Sequence, residues 1–367
     1  MSHAFLPYLL SIVICACLVC GETPNVITVS VDKLYPEGIE YHEAYGFLLS
    51  STTLGSIYSV QIDGTTKIFA NDSRLTSTRG LHIDTSRNEL LACNSDSVAR
   101  INLDTAKVNN LVVLSNYTRT GFNGTVMPND VVSDGSGNAY VTGSSSNIIW
   151  IIDGSSTPSI FVQDQRWLTQ VGEIGLNGIE YVKNQNVLLV GHTSKQLLYK
   201  VDISTSSVTT VDTQLLPGID GLTLLSDGSL VVVGNSAKTI WLLKSIDGWK
   251  SATVASTFTS QYPNPTTAAV REGEIFVSHA YFGVPDRKKF EIEKITFVTQ
   301  DNKPDNRSLS FIILAVLLGM GIVCGVAFGV ALYIRKRQQR YQQMELPTNE
   351  FDDTRGRSLS LPDDEFL

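Results

Sequence analysis

Six stretches of this 367-residue chain repeat one pattern: a polar residue, often a Gly, an apolar-alternating run, a turn, and a second apolar run. They open at Glu37 (EGIEYHEAYGFLLSS), Arg79 (RGLHIDTSRNELLACNS), Asn129 (NDVVSDGSGNAYVTGSS), Asn177 (NGIEYVKNQNVLLVGHT), Asp220 (DGLTLLSDGSLVVVGNS) and Thr266 (TTAAVREGEIFVSHAYF). The starts are 42, 50, 48, 43 and 46 residues apart, the period of arrays that use one four-stranded sheet per unit. Third and fourth strands follow, for example Ser56–Val60 then Thr66–Phe69, and Gln196–Val201 then Val208–Val211. No stretch between the chain ends carries a helical stripe. The pattern predicts an all-β, six-bladed β-propeller over residues 22–308. A ring needs closure, and Asn25–Ser30 is the natural strand to complete the blade that contains Ile292–Val298.

The two ends differ from the repeats. Ala4–Cys20 is apolar and nearly uncharged and is followed by polar residues, which predicts a signal peptide over residues 1–21. Its start lacks Lys and Arg, so an uncleaved anchor is the alternative. Leu309–Ile334 runs 26 residues without a charge, which at ~1.5 Å per residue exceeds a ~30 Å hydrocarbon core. Arg335, Lys336, Arg337 and Arg340 follow it directly, so the positive-inside rule puts the C-terminus in the cytosol. The expectation is a single-pass type I membrane protein whose propeller is extracellular or luminal. Sequons at Asn71, Asn116, Asn123 and Asn306 agree, and Asn264 is excluded by Pro265. Gly321, Gly325 and Gly329 lie on one face of the span and suit a close homodimeric helix pair. Residues 335–367 form a polar tail that reads as disordered, in which Tyr341–Met344 fits a signal for a sorting adaptor.

Of five cysteines only Cys93 falls in the propeller segment, so that domain has no internal disulfide and rests on its hydrophobic core. The net charge of −8 and the absence of a basic run outside the juxtamembrane tail exclude a nucleic-acid partner.

In a radial array the residue opening each inner strand faces the mouth of the central channel, so Glu37, Arg79, Asn129, Asn177, Asp220 and Thr266 should form a ring. Two carboxylates and two amide oxygens are hard ligands whose charge balances one divalent cation, with coordination positions left for water and substrate. The alternative is that Asn-Gly and Asp-Gly are turn formers that provide tight entries into the strands. Turn chemistry accounts for Asn177-Gly178 and Asp220-Gly221 but not for Glu37 or Asn129-Asp130. His82, His192 and His279 are weaker candidates as proton carriers, because each lies within a strand pattern.

Pro36-Glu37-Gly38, Pro128-Asn129-Asp130-Val131-Val132 with Gly137–Thr142, Asn177-Gly178-Ile179 and Asp220-Gly221-Leu222 resemble the senescence marker protein (regucalcin)/gluconolactonase/LRE-like family over about residues 34–250. That resemblance implies a six-bladed propeller holding one divalent metal through Glu37, Asn129, Asn177 and Asp220. Calcium comes first, with magnesium, manganese or zinc as alternatives. It also implies a lactonase-like hydrolase acting on a small lactone or ester, with Asp220 as general base. Many family lactonases carry an Arg near the Pro-Asn-Asp motif, where this chain has Met127, and Arg79 is the candidate replacement for binding substrate. Two classes stay open: a membrane-tethered metal-dependent hydrolase, and a non-catalytic recognition propeller with a structural metal. A lyase of the strictosidine-synthase type is disfavoured by the complete ligand quartet.

Overall fold

The computed structural model describes residues 24–118, 126–298, 332–337 and 340 of the chain. It divides into two compact units, Met1–Thr299 and Gln300–Leu367. The first is a six-bladed propeller of six four-stranded antiparallel sheets. The inner strands are Ile39–His42, Thr78–Asp84, Pro128–Ser133, Leu176–Val182, Ile219–Leu224 and Pro265–Arg271, for blades one to six in that order. A single 3-10 turn, Gln165–Trp167, interrupts the all-β pattern among the described residues of this unit.

Each blade alternates as a half-buried sheet should. The second and third strands are nearly continuous apolar runs and lie between neighbouring blades, as in Leu230–Gly234, where all five residues are buried. The outermost strands show one face to water, as in Thr253–Thr259, where partly buried and exposed residues alternate strictly. Burial gathers into six apolar clusters, one at each junction between adjacent blades. Cys93 is fully buried in the cluster between blades two and three, where burial pushes its thiol well above the ordinary range. A thiol so held packs as a small apolar side chain.

Val26–Val29 pairs antiparallel with Phe290–Ile295 and completes blade six, so strands from the two ends of the unit close the ring. Ile27, Val29, Phe276, Phe290 and Ile292 of that blade pack with Ile39, Phe47 and Leu49 of blade one. Across this junction the Phe47 and Phe276 rings lie 4.8 Å apart between centroids.

Asn71 and Asn116 are exposed, while Asn123 and Asn306 fall outside the described residues. So do the signal segment, the three glycines of the span, Tyr341–Met344 and most of Leu309–Ile334. Residues 332–337 are α-helical. Among the described residues no helix is long and apolar enough to cross a membrane.

Candidate metal and substrate site in the channel mouth

The inner strands of all six blades run in the same direction, so the residues that open them meet at one end of the channel. In blades two to six the pairing of inner and second strand slips by one residue at the same place: between Thr78 and Leu81, Pro128 and Val131, Leu176 and Ile179, Ile219 and Leu222, and Pro265 and Ala268. Each slip is a β-bulge, and it carries the repeat's opening residue: Arg79, Asn129, Asn177, Asp220 or Thr266. A bulge leaves one residue unpaired and re-aims its side chain. Four of the five re-aimed side chains face the channel mouth, whereas Thr266, also expected in the ring, turns to Ser278 instead. In blade one the strand starts later, at Ile39, and the Ser50 hydroxyl accepts the backbone N–H groups of Glu37 and Gly38, at 3.3 and 2.7 Å.

The glycines that follow these residues are not turn residues. Gly178 and Gly221 lie inside inner strands, at negative or extended φ. A Cβ on Gly178 would press into the Asp220 carbonyl oxygen, and one on Gly221 would sit 2.7 Å from the Thr266 carbonyl oxygen. Glycine is needed at these positions because the strand packs there against the backbone of the next blade's inner strand, as it does at Gly38 and Gly80; blades three and six carry Asp130 and Thr267 instead. Of the two readings of Asn-Gly and Asp-Gly, the turn-entry reading is therefore not what the fold contains.

Glu37, Arg79, Asn129, Asn177 and Asp220 line one cavity of about 440 Å³, with Met127, Ile174, Thr193, Asn235 and Phe282 among its other walls. Thr266 is fully buried beside this wall, with its hydroxyl 2.7 Å from that of Ser278. His82, His192 and His279 do not line the cavity. His192 Nε2 lies 3.1 Å from the Trp167 carbonyl, His279 Nε2 lies 3.3 Å from Glu293, and His82 borders a second cavity farther along the channel.

Three polar atoms in this wall are buried without a hydrogen-bond partner: Glu37 Oε2, Asn129 Oδ1 and Arg79 Nη1. A buried polar atom left unpaired costs ~1–3 kcal/mol, so three at one mouth mark a place built for something else to bind. Two of them are acceptors, which suits a cation. The other two quartet members are held in place by neighbours. Thr193 Oγ1 donates to the Ile219 carbonyl at 2.7 Å, so at 3.0 Å from Asn177 it accepts from Nδ2. That fixes the amide so that Asn177 Oδ1 is the atom able to meet a cation. Asn264 Nδ2 donates to Asn235 Oδ1 at 3.1 Å, and Asn235 Nδ2 donates to Asp220 Oδ2 at 2.8 Å. Asn235 is the next-to-last residue of the fifth repeat stretch, but nothing in the repeat signalled its bond to Asp220, and Asn264 lies outside the repeats and reaches Asn235 from a loop.

Burial pushes the Asp220 carboxyl up to about 7, with hydrogen bonds from Asn235 and Asn177 opposing the rise. Burial pushes Glu37 well above the carboxylate range, and the charges of Asp220 and Asp130 add to the rise while Arg79 opposes it. Among the described residues no three His, Cys, Asp or Glu side chains cluster as metal ligands, so two carboxylates and two amides are the donor set available here.

No family model and no curated protein matches the chain by sequence. Solved structures do match. The major Malassezia sympodialis allergen Mala s 1 superposes with a TM-score of 0.65 at 19% identity, over 75% of this chain and 97% of that one. A gluconolactonase from Xanthomonas campestris gives 0.54 at 12%, over 74% and 89%. A luciferin-regenerating enzyme gives 0.53 at 14%, over 75% and 97%. The fold is that of the gluconolactonase and luciferin-regenerating-enzyme propellers. Identities this low speak for the shared fold and leave the chemistry to the residues of the mouth.

Proposed function

We propose that this chain is a lactonase-like hydrolase that depends on one divalent cation and acts at the channel mouth. The observation that carries the reading is the pair of orphaned buried acceptors, Glu37 Oε2 and Asn129 Oδ1, beside Asp220 and Asn177 in one cavity. These four side chains would hold the cation, calcium first by its preference for oxygen donors, with magnesium, manganese or zinc as alternatives. When bound, the cation supplies Lewis-acid polarisation and lowers the pKa of water.

The chain's own groups do the rest. Asp220 is the carboxylate placed to take a proton from attacking water; burial raises it to about 7 in the cation-free site, and a bound cation would draw it down and keep it ionised at neutral pH. The water oxygen forms the new bond to the carbonyl carbon, the ring ester C–O bond breaks, and the proton passes from Asp220 to the leaving alkoxide, giving a hydroxy acid. Arg79 Nη1, buried and unpaired, can donate to the oxygen on which negative charge develops. The oxygen at the mouth thus meets a fixed donor instead of Met127, which stands where many relatives by resemblance carry Arg.

From the sequence we further propose a single-pass type I arrangement, with glycans on the propeller, helix pairing through Gly321, Gly325 and Gly329, and Tyr341–Met344 as an adaptor signal. The test of function is calcium binding by the full-length protein together with turnover of a lactone and aryl-ester panel. Binding and turnover are expected, and both should fall at least tenfold in Asn129→Ala. Metal binding with no turnover on any ester would sink the hydrolase and leave a recognition propeller.

A further inference from the structure

The two faces of the propeller differ sharply in what they expose. On the face away from the cavity the strands are joined by polar turns, such as Asp134–Asn138, Asp153–Thr157 and Ser226–Asp227–Gly228. Ile246 and Val298, which follow the third strands of blades five and six, are the two large apolar side chains exposed at that end among the described residues of the propeller. On the face that carries the cavity, Leu168, Val171, Ile174, Leu215, Phe282 and Val284 are all exposed in the connecting loops. Ile174 and Phe282, 38% and 43% exposed, continue inward with Met127 as walls of the cavity itself. Apolar surface gathered on one face around a cavity marks a binding surface, whereas single scattered apolar residues would not.

The polar groups of the same walls are largely engaged within the protein. Thr52 Oγ1 donates to the Tyr35 carbonyl at 3.0 Å, Thr193 Oγ1 to that of Ile219 at 2.7 Å, and Asn235 spans Asp220 and Asn264. The buried polar atoms of these walls that lack a partner are Glu37 Oε2, Arg79 Nη1 and Asn129 Oδ1, all among the residues that open the repeats. A polyhydroxylated lactone would need partners along its whole length; outside the ring of opening residues the walls add the Ser77 and Ser236 hydroxyls, while Met127, Ile174 and Phe282 present none. A volume of about 440 Å³ also exceeds what a bare lactone ring fills and lies in the range of ~300–1,000 Å³ typical of larger ligands.

Resting on the hydrolase reading above, we infer that the substrate is a lactone or ester bearing a hydrocarbon chain. Its acyl head sits at Arg79 and the Glu37–Asn129–Asn177–Asp220 floor, and its chain lies against Met127, Ile174 and Phe282. The apolar collar beyond the mouth receives whatever length of chain the cavity cannot hold.

The test uses full-length protein in calcium-loaded lipid nanodiscs, with empty nanodiscs as the blank, and a series of lactones of one ring size with alkyl chains from none to roughly eight carbons. Each methylene buried against the wall should raise kcat/KM about two- to fourfold until the wall is covered. Ile174→Ser and Phe282→Ser, at exposed positions where the fold does not depend on them, should flatten that slope. A flat slope in the wild type, or faster turnover of a sugar lactone of the same ring size, overturns the inference and leaves the hydrolase standing. If no lactone is turned over, titration calorimetry of the same series decides. Affinity that climbs with chain length, and stops climbing in Phe282→Ser, keeps the ligand class while the hydrolase falls; affinity independent of chain length overturns the inference as well.

Discussion

Asp220 is anchored by an amide relay: Asn264 holds Asn235, and Asn235 holds one oxygen of the carboxylate. Removing the relay's donor should let burial act unopposed. In Asn235→Ala the Asp220 carboxyl should therefore rise from where the cation-bound site holds it, and the acid limb of the pH profile for lactone turnover should move to higher pH. A merely structural role for Asn235 would lower activity at every pH without moving that limb. The neighbouring glycines make a separate prediction. Gly178→Ala would drive a methyl into the Asp220 carbonyl, at a cost of ~1–3 kcal/mol read in thermal or urea unfolding. Glu37, Asn129, Asn177 and Asp220 were legible in sequence because the repeat puts each at the same place. The reason for the glycines was not legible, since a turn and a tight blade-to-blade approach both require one. The tasks of Asn235 and Asn264 left no signal: Asn235 falls at the end of the fifth repeat stretch, but the repeat does not say which neighbour it meets, and Asn264 lies in a loop outside the repeats.

At the scale of the element, the inner strands have two ends with opposite tasks. One end carries the bulges and the site. Farther along, Glu40, Glu180, Asp130 and His82 line a second cavity of about 280 Å³ in the same channel. Burial pushes Glu40 and Glu180 up to about 8 each, and the charge of Asp130 adds to the rise in both. The Glu40 side chain keeps 28% of its exposure, but the channel walls surround it, so this water screens poorly. His82 stands 3.6 Å from Glu40 and is no counter-ion above acid pH, because burial lowers it to about 4. The folded state therefore binds these two protons more tightly than the unfolded chain, whose glutamates titrate near ~4.3. The stability these two groups contribute should be greatest below that value and be lost as pH rises from ~4 to ~8, then level off, while His82, held low, works in the opposite sense below ~6.5. Glu40→Gln and Glu180→Gln should flatten the fall in melting temperature across that window, and an unchanged slope in the double variant would refute it. The strands themselves were readable from period-two alternation and Gly/Asp/Ser turns. The bulges were not, because one extra residue in a strand does not alter the alternation of a short inner run enough to be counted.

For the whole molecule the deciding fact is closure. With Cys93 as the sole cysteine among the described residues and no disulfide to staple it, the ring is held by the pairing of Val26–Val29 with Phe290–Ile295 and by the cluster between blades six and one. Sequence disclosed the need for such a strand and its place near residue 25, since an array of six units without one leaves an unpaired edge. It did not disclose the apolar collar, which exists only once loops from several blades share a face. Closure also means that local damage at the junction is felt by the entire ring. Ile27 and Ile292 are paired across the two end strands and are 2% and 1% exposed. Ile27→Ala and Ile292→Ala should each cost ~2–5 kcal/mol as a cavity in a packed cluster. Because both face the same space, the double variant should fall short of the sum of the singles. The same substitution at Ile68, 56% exposed on an outer strand of blade one, should change stability by less than ~0.5 kcal/mol. Urea unfolding of the four proteins checks this, and reductant should shift none of the midpoints. Equal effects at Ile27 and Ile68 would mean that the end strand is an ornament of blade six, and that packing between blades holds the ring without a clasp.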